Sequence, residues 1–250
     1  MKITDINTMI GPWPSCSIMF TEYEDLLKEM DNYRISTAVA FSSLALSNPM
    51  EGNKHIKSIS DKSAGRIKPC YILDSNLDSS EMPPAEVLFE ELKKDRPGAV
   101  KLYPKRNNFI LDSFYCGELL DILDQLAMPV IFDSDEVPPF AELPKLAKQY
   151  PNIKFIILRH GFRESRILIP LIKKLNNVYF DTSIIIDTGL IEEIVSKYGS
   201  DKLLYGSGMP FYVPAGSLAL ILYARIPDSE KEKIFHGNWE NLQEGIKYDK

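Results

Sequence analysis

The sequence predicts an α/β protein folded as a (β/α)8 TIM barrel. Eight short runs rich in apolar and β-branched residues recur along the chain, and their starts lie 24 to 33 residues apart. Segments with the helical spacing of apolar residues separate most of these runs. Strands that alternate with helices at this interval pair in parallel, because each helix carries the chain back along the sheet. Eight such units in 250 residues match the size of a closed barrel.

The predicted strands are buried runs bounded by turn residues. Ile153–Leu158 shows this most clearly, because six largely apolar residues stand between Pro151 and Gly161. Such a run is typical of a parallel strand covered on both faces. In chain order, strands are predicted at Lys2–Ile6, Ile35–Phe41, Arg66–Leu73, Gly98–Tyr103, Pro129–Asp133, Ile153–Leu158, Asn177–Asp181 and Lys202–Gly206.

Helices are predicted where apolar residues recur every three or four positions. In Glu22–Tyr33 the residues Leu26, Leu27 and Met30 form one such stripe. The same pattern predicts helices at Met50–Lys62, Ala85–Lys94, Phe114–Ala127, Phe140–Gln149, Arg163–Leu175 and Leu190–Tyr198, with short terminal helices at Asp228–Phe235 and Asn238–Ile246. An open doubly wound sheet is the competing fold, but no glycine-rich nucleotide motif follows the first strand. No composition break divides the chain, so we expect one domain over residues 1–250.

Composition limits the partners of the protein. A net charge of −6, without a run of Lys and Arg, argues against a nucleic acid. No apolar run is long enough for a membrane span, and the start of the chain lacks a secretory segment. The three cysteines show no CxxC spacing, which disfavours a disulfide framework. We therefore expect a cytoplasmic protein with a small-molecule partner, and a homo-oligomer stays open.

The ends of the predicted strands carry a set of motifs in a recognisable order. They are DINTMIGPW at Asp5–Trp13, PVIFDS at Pro129–Ser134, ILRHGF at Ile157–Phe162, NVYFDTS at Asn177–Ser183 and LLYGSGMPF at Leu203–Phe211. Together they resemble the amidohydrolase-related (amidohydrolase 2) branch of the metal-dependent hydrolase superfamily. This resemblance implies a barrel enzyme that hydrolyses lactones or amides, or that decarboxylates aromatic acids.

The metal-ligand positions that this resemblance implies are mostly replaced. Asn7 and Met9 stand in place of a His-x-His pair, and Asp133 stands in place of a histidine. His160 keeps its histidine, whereas Gly208 replaces an aspartate that also serves as the catalytic base. A zinc site needs several imidazole or carboxylate ligands. We therefore expect no metal cofactor, and a rebuilt site for a divalent metal such as zinc is the alternative.

Titratable side chains remain at the predicted barrel mouth. Lys101, Asp133 and His160 are expected to project inward from adjacent strands and form a proton-transfer set; a structural Lys101–Asp133 ion pair is the alternative. Strict strand alternation puts Asp5, Asn7 and Met9 on one face. The candidate substrate-binding residues are Asn7, Met9, Trp13, Asp181, Ser183, Ser207 and Phe211. His55, in a polar helix, is interpreted as a surface residue, and His236 as a structural one.

Three functions fit these residues. The first is a metal-independent hydrolase of a lactone- or amide-like carbonyl compound, in which Lys101 polarises the carbonyl group. The second is a lyase that uses Lys101 as a Schiff-base nucleophile. The third is a ligand-binding descendant without catalysis, because a fold does not fix a function. The resemblance to a superfamily of hydrolases favours the first of these functions.

Overall fold

The computed structural model confirms the barrel, and it describes residues 1–137, 140–161 and 164–249. Eight parallel strands pair in chain order. They are β1 (Thr4–Ile10), β2 (Thr37–Ser42), β3 (Ile67–Leu73), β4 (Ala99–Leu102), β5 (Pro129–Asp133), β6 (Lys154–Leu158), β7 (Val178–Asp181) and β8 (Leu203–Leu204). Single hydrogen bonds join β1 to the chain around β8, including Ile6 N–H to the Tyr205 carbonyl at 3.0 Å. These bonds bring the first and last strands together.

The helices surround the strands. They are α1 (Tyr23–Asn32), α2 (Pro49–Lys62), α3 (Ala85–Asp95), α4 (Gly117–Gln125), α5 (Leu143–Gln149), α6 (Ser165–Lys174), α7 (Leu190–Tyr198), α8 (Pro214–Leu222), α9 (Asp228–Glu232) and α10 (Asn238–Glu244). A 3₁₀ turn, Ser43–Leu46, follows β2, and a π-helical turn, Lys233–Gly237, joins α9 to α10. None of the helices within the described residues is long and apolar enough to cross a membrane.

Strand alternation divides the apolar residues into two cores. In β5, Val130 and Phe132 pack outward against the helices, whereas Ile131 faces the barrel axis. In β6, Ile157 faces outward and Ile156 faces inward. Alternation of this kind buries both faces of each strand, and this accounts for the continuous apolar runs in the sequence.

The structure differs from the predicted elements at β1 and at α8. β1 continues to Ile10, and its pairing register shifts between Asp5 and Thr8. As a result Ile6 and Met9 both face the inner core, which strict alternation does not allow. The sequence pattern also missed α8, because its apolar residues are not confined to one face. Of the predicted segments, Phe162 and the helix start Arg163 lie outside the described residues.

Candidate active site

The carboxyl ends of β4, β5 and β6 bring one carboxylate and two cations together. Lys101 Nζ lies 3.0 Å from Asp133 Oδ1, and Arg159 Nη2 lies 3.0 Å from Asp133 Oδ2. Lys101 and Asp133 are almost fully buried, whereas the side chain of Arg159 is 29% exposed to solvent. Burial alone would raise the pKa of Asp133, but the two cations outweigh it and hold that pKa below its ordinary value. The pair that the sequence predicted therefore exists as part of a larger ion-pair cluster.

Aromatic rings complete the surroundings of Lys101. Its ammonium group lies 4.9 Å from the ring centre of Phe41 and 5.0 Å from that of Tyr103. The negative faces of aromatic rings attract a cation in a desolvated site. Lys101 is thus an ion-paired ammonium held between a carboxylate and two rings.

Arg159 is a site residue that the sequence analysis missed. β6 ends at Leu158, and Arg159 adopts a left-handed conformation with φ 54°. Its backbone N–H donates to Asp181 Oδ1 at 2.8 Å, and its carbonyl accepts from Ser134 Oγ at 2.9 Å. The turn aims the guanidinium group at Asp133, although strand alternation assigns residue 159 to the outer face. The only signal in the sequence was its place beside His160 at a strand end.

His160 stands apart from the ion-pair cluster. The imidazole is 3% exposed and lies edge-on to Phe180, with 5.6 Å between ring centres. Neither ring nitrogen has a hydrogen-bond partner among the described residues. Burial lowers the pKa of His160 below its ordinary value, and the nearby Asp181 carboxylate opposes this shift. His160 is therefore a neutral imidazole that forms no hydrogen bond to Lys101 or Asp133.

The polar substrate-binding candidates form a separate network between β1, β7 and β8. Asn7 Nδ2 donates to Asp181 Oδ2 at 2.9 Å and contacts Ser183 Oγ at 3.4 Å. Asp5 Oδ1 accepts the backbone N–H groups of Asn7 at 3.1 Å and Ser207 at 2.9 Å. Asp5 Oδ2 is buried and has no hydrogen-bond partner in the described part of the chain, and burial raises the pKa of Asp5 to about 7. These contacts fix the amide of Asn7 at the edge of the mouth.

Met9, Trp13 and Phe211 lie at the mouth beside the ion pair. Trp13 and Phe211 meet edge to face, with ring centres 5.1 Å apart. Together with Asn7, Lys101 and Asp133, these three residues line a cavity of about 20 Å³. That volume holds roughly one water molecule. The barrel axis therefore offers room for a water next to the Asp133 carboxylate, and a larger compound must lie nearer the rim.

At three of the implied metal-ligand positions, the residues Asn7, Asp133 and Gly208 are not arranged to bind a divalent metal. Both oxygens of Asp133 are engaged by cations, and the Asn7 nitrogen donates to Asp181. Gly208 has φ +77°, and a Cβ there would stand 2.6 Å from the Tyr212 ring, so a ligand side chain has no space. The cationic groups of Lys101 and Arg159 neutralise the Asp133 carboxylate.

Comparison of the sequence with models of known protein families assigns the chain to a family. The sequence model described as "Amidohydrolase" matches residues 93–240, which is more than half of the chain. The chain belongs to the amidohydrolase family. This confirms the resemblance that the motifs at the strand ends indicated. No curated protein sequence matches the chain.

Solved structures with this fold differ widely in sequence. An uncharacterised TIM-barrel protein from Bordetella bronchiseptica has a TM-score of 0.77 at 14% identity, over 98% of this chain and 99% of that one. A dihydroxybenzoic acid decarboxylase from Polaromonas sp. JS666, with bound manganese and the inhibitor 2-nitroresorcinol, has a TM-score of 0.70 at 14% identity, over 97% and 96%. A 4-oxalomesaconate hydratase from Rhodopseudomonas palustris has a TM-score of 0.69 at 18% identity, over 97% and 96%. At these identities the likeness shows the barrel fold alone.

Proposed function

We propose that this amidohydrolase-family protein hydrolyses a small lactone- or amide-like carbonyl compound without a divalent metal. The observation that carries the proposal is the pair of cations at 3.0 Å on opposite oxygens of Asp133, at the barrel mouth. Hydrolysis of a carbonyl compound develops negative charge on its oxygen. Preorganised cationic donors in a water-poor site stabilise that charge strongly.

Each residue has a role in this proposal. Asp133 holds the two cations in place and orients a water in the adjoining cavity. Lys101 and Arg159 stabilise the oxyanion of a compound that lies nearer the rim, where Trp13 and Phe211 border it. Burial lowers the pKa of His160, and both of its ring nitrogens are cut off from solvent, so we assign it no proton transfer. Asp133 borders the cavity, so it takes the proton of the attacking water and gives it to the leaving oxygen or nitrogen as the bond from that atom to the carbonyl carbon breaks.

The test is turnover of a panel of lactones, amides and esters by protein whose metal content is measured by plasma mass spectrometry. We expect turnover with trace metal, and a loss of about 100-fold or more in kcat for Lys101→Met and Arg159→Met. Arg225→Met, at a side chain that is 90% exposed, is the matched control and should keep full activity. Turnover that requires zinc or manganese and disappears with a chelator would contradict the metal-free site.

A lyase is the second candidate, because two structures that share the fold are a decarboxylase and a hydratase. The panel therefore includes dihydroxybenzoic acids and unsaturated dicarboxylic acids. A Schiff base at Lys101 is disfavoured, because the reaction needs a free neutral amine and this ammonium is ion-paired and buried. If no compound turns over while one of them raises the melting temperature and is recovered unchanged, the protein is a binding descendant.

A further inference from the structure

A second, larger cavity opens at the barrel mouth, between the chain segments that follow β1 and β2. Its volume is about 540 Å³, which is within the range of small-molecule sites. The apolar part of its wall is formed by Pro12, Trp13, Pro14, Leu44 and Leu46. Trp13 also lines the small cavity at Asp133, so the two cavities share this side chain as a common wall.

A hydroxyl–imidazole pair lies in the wall of this cavity. Ser42 is the last residue of β2, and its Oγ lies 3.0 Å from His55 Nδ1 on α2. In the described part of the chain, that nitrogen is the only hydrogen-bond partner of the Ser42 side chain. Accordingly the hydroxyl proton points to the imidazole when Nδ1 is the unprotonated nitrogen. Ser42 is buried at the base of the cavity, whereas His55 is exposed to solvent at its edge.

The helix that carries His55 is held firmly against the barrel. Gly52 allows the close approach, because a Cβ at this position would stand 2.2 Å from the Ala45 backbone nitrogen. Asn53 exchanges two hydrogen bonds of 2.8 Å with the backbone of Ile72 on β3. Asn48 caps the start of α2 by accepting the Glu51 N–H at 3.2 Å. Two contacts of α2 with neighbouring elements, at Gly52 and Asn53, thus hold His55 beside Ser42.

We propose that Ser42 and His55 form a second catalytic site, which hydrolyses small esters through an acyl-serine. Ser42 Oγ bonds to the ester carbonyl carbon while its proton passes to His55 Nδ1. The carbon–oxygen bond to the alcohol then breaks, and the alcohol leaves with that proton. Water next attacks the acyl group and gives a proton to His55, which returns it to Ser42 as the acid leaves.

Trp13 and Arg106 define the class of ester. The Arg106 guanidinium lies 5.3 Å from the centre of the Trp13 ring. Glu136 fixes the backbone beneath it, accepting the N–H groups of Lys105 at 2.8 Å and Arg106 at 3.0 Å. The indole face and the leucines suit an aryl group, and the guanidinium suits a carboxylate. The substrate is therefore a monoester of a short dicarboxylic acid with an aromatic alcohol.

The first experiment uses a fluorophosphonate probe, which bonds to an activated serine oxygen and releases fluoride. Peptide mass spectrometry should find the adduct on Ser42. We expect labelling to vanish in Ser42→Ala and to slow by about 100-fold or more in His55→Asn. The asparagine keeps a polar group near the position of Nδ1, so it preserves the tether between α2 and β2 but removes the base.

Two control variants complete the experiment. Ser196→Ala, at an exposed serine of α7, should label at the normal rate, and so should Arg225→Met. Thermal melting checks that each variant is folded. Absence of an adduct on Ser42 in the folded protein would overturn the proposal. Normal labelling of His55→Asn would also overturn it, because the imidazole would then be only structural.

A steady-state measurement tests the substrate class. Mono-4-nitrophenyl succinate should be a better substrate than 4-nitrophenyl acetate by about tenfold or more in kcat/KM. Arg106→Met keeps an apolar stem on Trp13 but removes the charge, so it should abolish this preference through KM. An unchanged preference in this variant would refute the role of Arg106. Loss of lactone turnover in Lys101→Met with normal Ser42 labelling would show that the two sites act separately.

Discussion

Asp133 is the residue on which the charge balance of the barrel mouth depends. Its two oxygens face two cations, and Lys101 and Asp133 are both cut off from solvent. A buried ion pair of this kind gains little over an apolar pair, but removal of one partner leaves the other charge uncompensated. The carboxylate is thus needed for folding as well as for the proposed chemistry.

Replacement of Asp133 by asparagine should destabilise the protein by roughly 3–5 kcal/mol, because the Lys101 ammonium would remain buried without a counter-charge. Urea unfolding followed by circular dichroism measures this change. Asp135→Asn is the matched control: Asp135 is 68% exposed and lies 3.9 Å from Arg159, so its loss should cost at most about 0.5 kcal/mol. Equal effects of the two substitutions would contradict a buried cluster.

At the scale of the elements, the strand pattern was predictable and the exact ends of elements were not. Continuous apolar runs mark a buried parallel strand, so all eight strands could be found from the sequence. The bulge in β1 could not, because it depends on contacts with β2 rather than on residue type. α8 was missed because most of its residues are apolar, so its sequence lacks the one-sided apolar stripe of a surface helix.

Only part of the candidate site could be predicted from the sequence. Lys101 and Asp133 occupy inward positions of regular strands, so alternation brings them together. Arg159 reaches Asp133 only through a left-handed residue after β6, and the sequence does not mark that turn with glycine. His55 was correctly interpreted as exposed, but its contact with Ser42 joins two elements and cannot be read from helical periodicity.

The close packing of β7 against the chain after β8 gives a prediction for Gly206. A Cβ at this position would stand 2.5 Å from Asp181 Oδ2 and 3.0 Å from Asn7 Cβ. Gly206→Ala should therefore displace the Asn7–Asp181 hydrogen bond and destabilise the protein by about 1–3 kcal/mol. Gly216→Ala, in α8, meets nothing within 4 Å and should instead stabilise it by about 0.5–1 kcal/mol. Chemical denaturation of both variants measures the contrast, and destabilisation by both would show that the cost does not come from the Asp181 contact.

On the scale of the whole molecule, Asp5 connects the closure of the barrel to pH. It lies where β1 meets the chain after β8 and accepts N–H groups from both. Burial raises its pKa to about 7 from 3.8, the ordinary value that applies to the unfolded chain. Between pH 3.8 and pH 7 or so, Asp5 carries a proton more often in the folded protein than in the unfolded chain. Its contribution to the free energy of unfolding therefore falls as the pH rises.

We expect the contribution of Asp5 to the free energy of unfolding to fall by about 2.5 kcal/mol from pH 5 to pH 8. The measurement is the difference in unfolding free energy between the natural protein and Asp5→Asn, taken across that range by urea titration. Subtraction removes the titration of other groups, including Asp133, whose lowered pKa acts in the opposite direction and at lower pH. Asp31→Asn, at a side chain that is 68% exposed, serves as the control and should show a difference that is independent of pH. A constant difference for Asp5→Asn as well would mean that Asp5 is ionised in the folded barrel, and that the Asn7 and Ser207 N–H groups outweigh its burial.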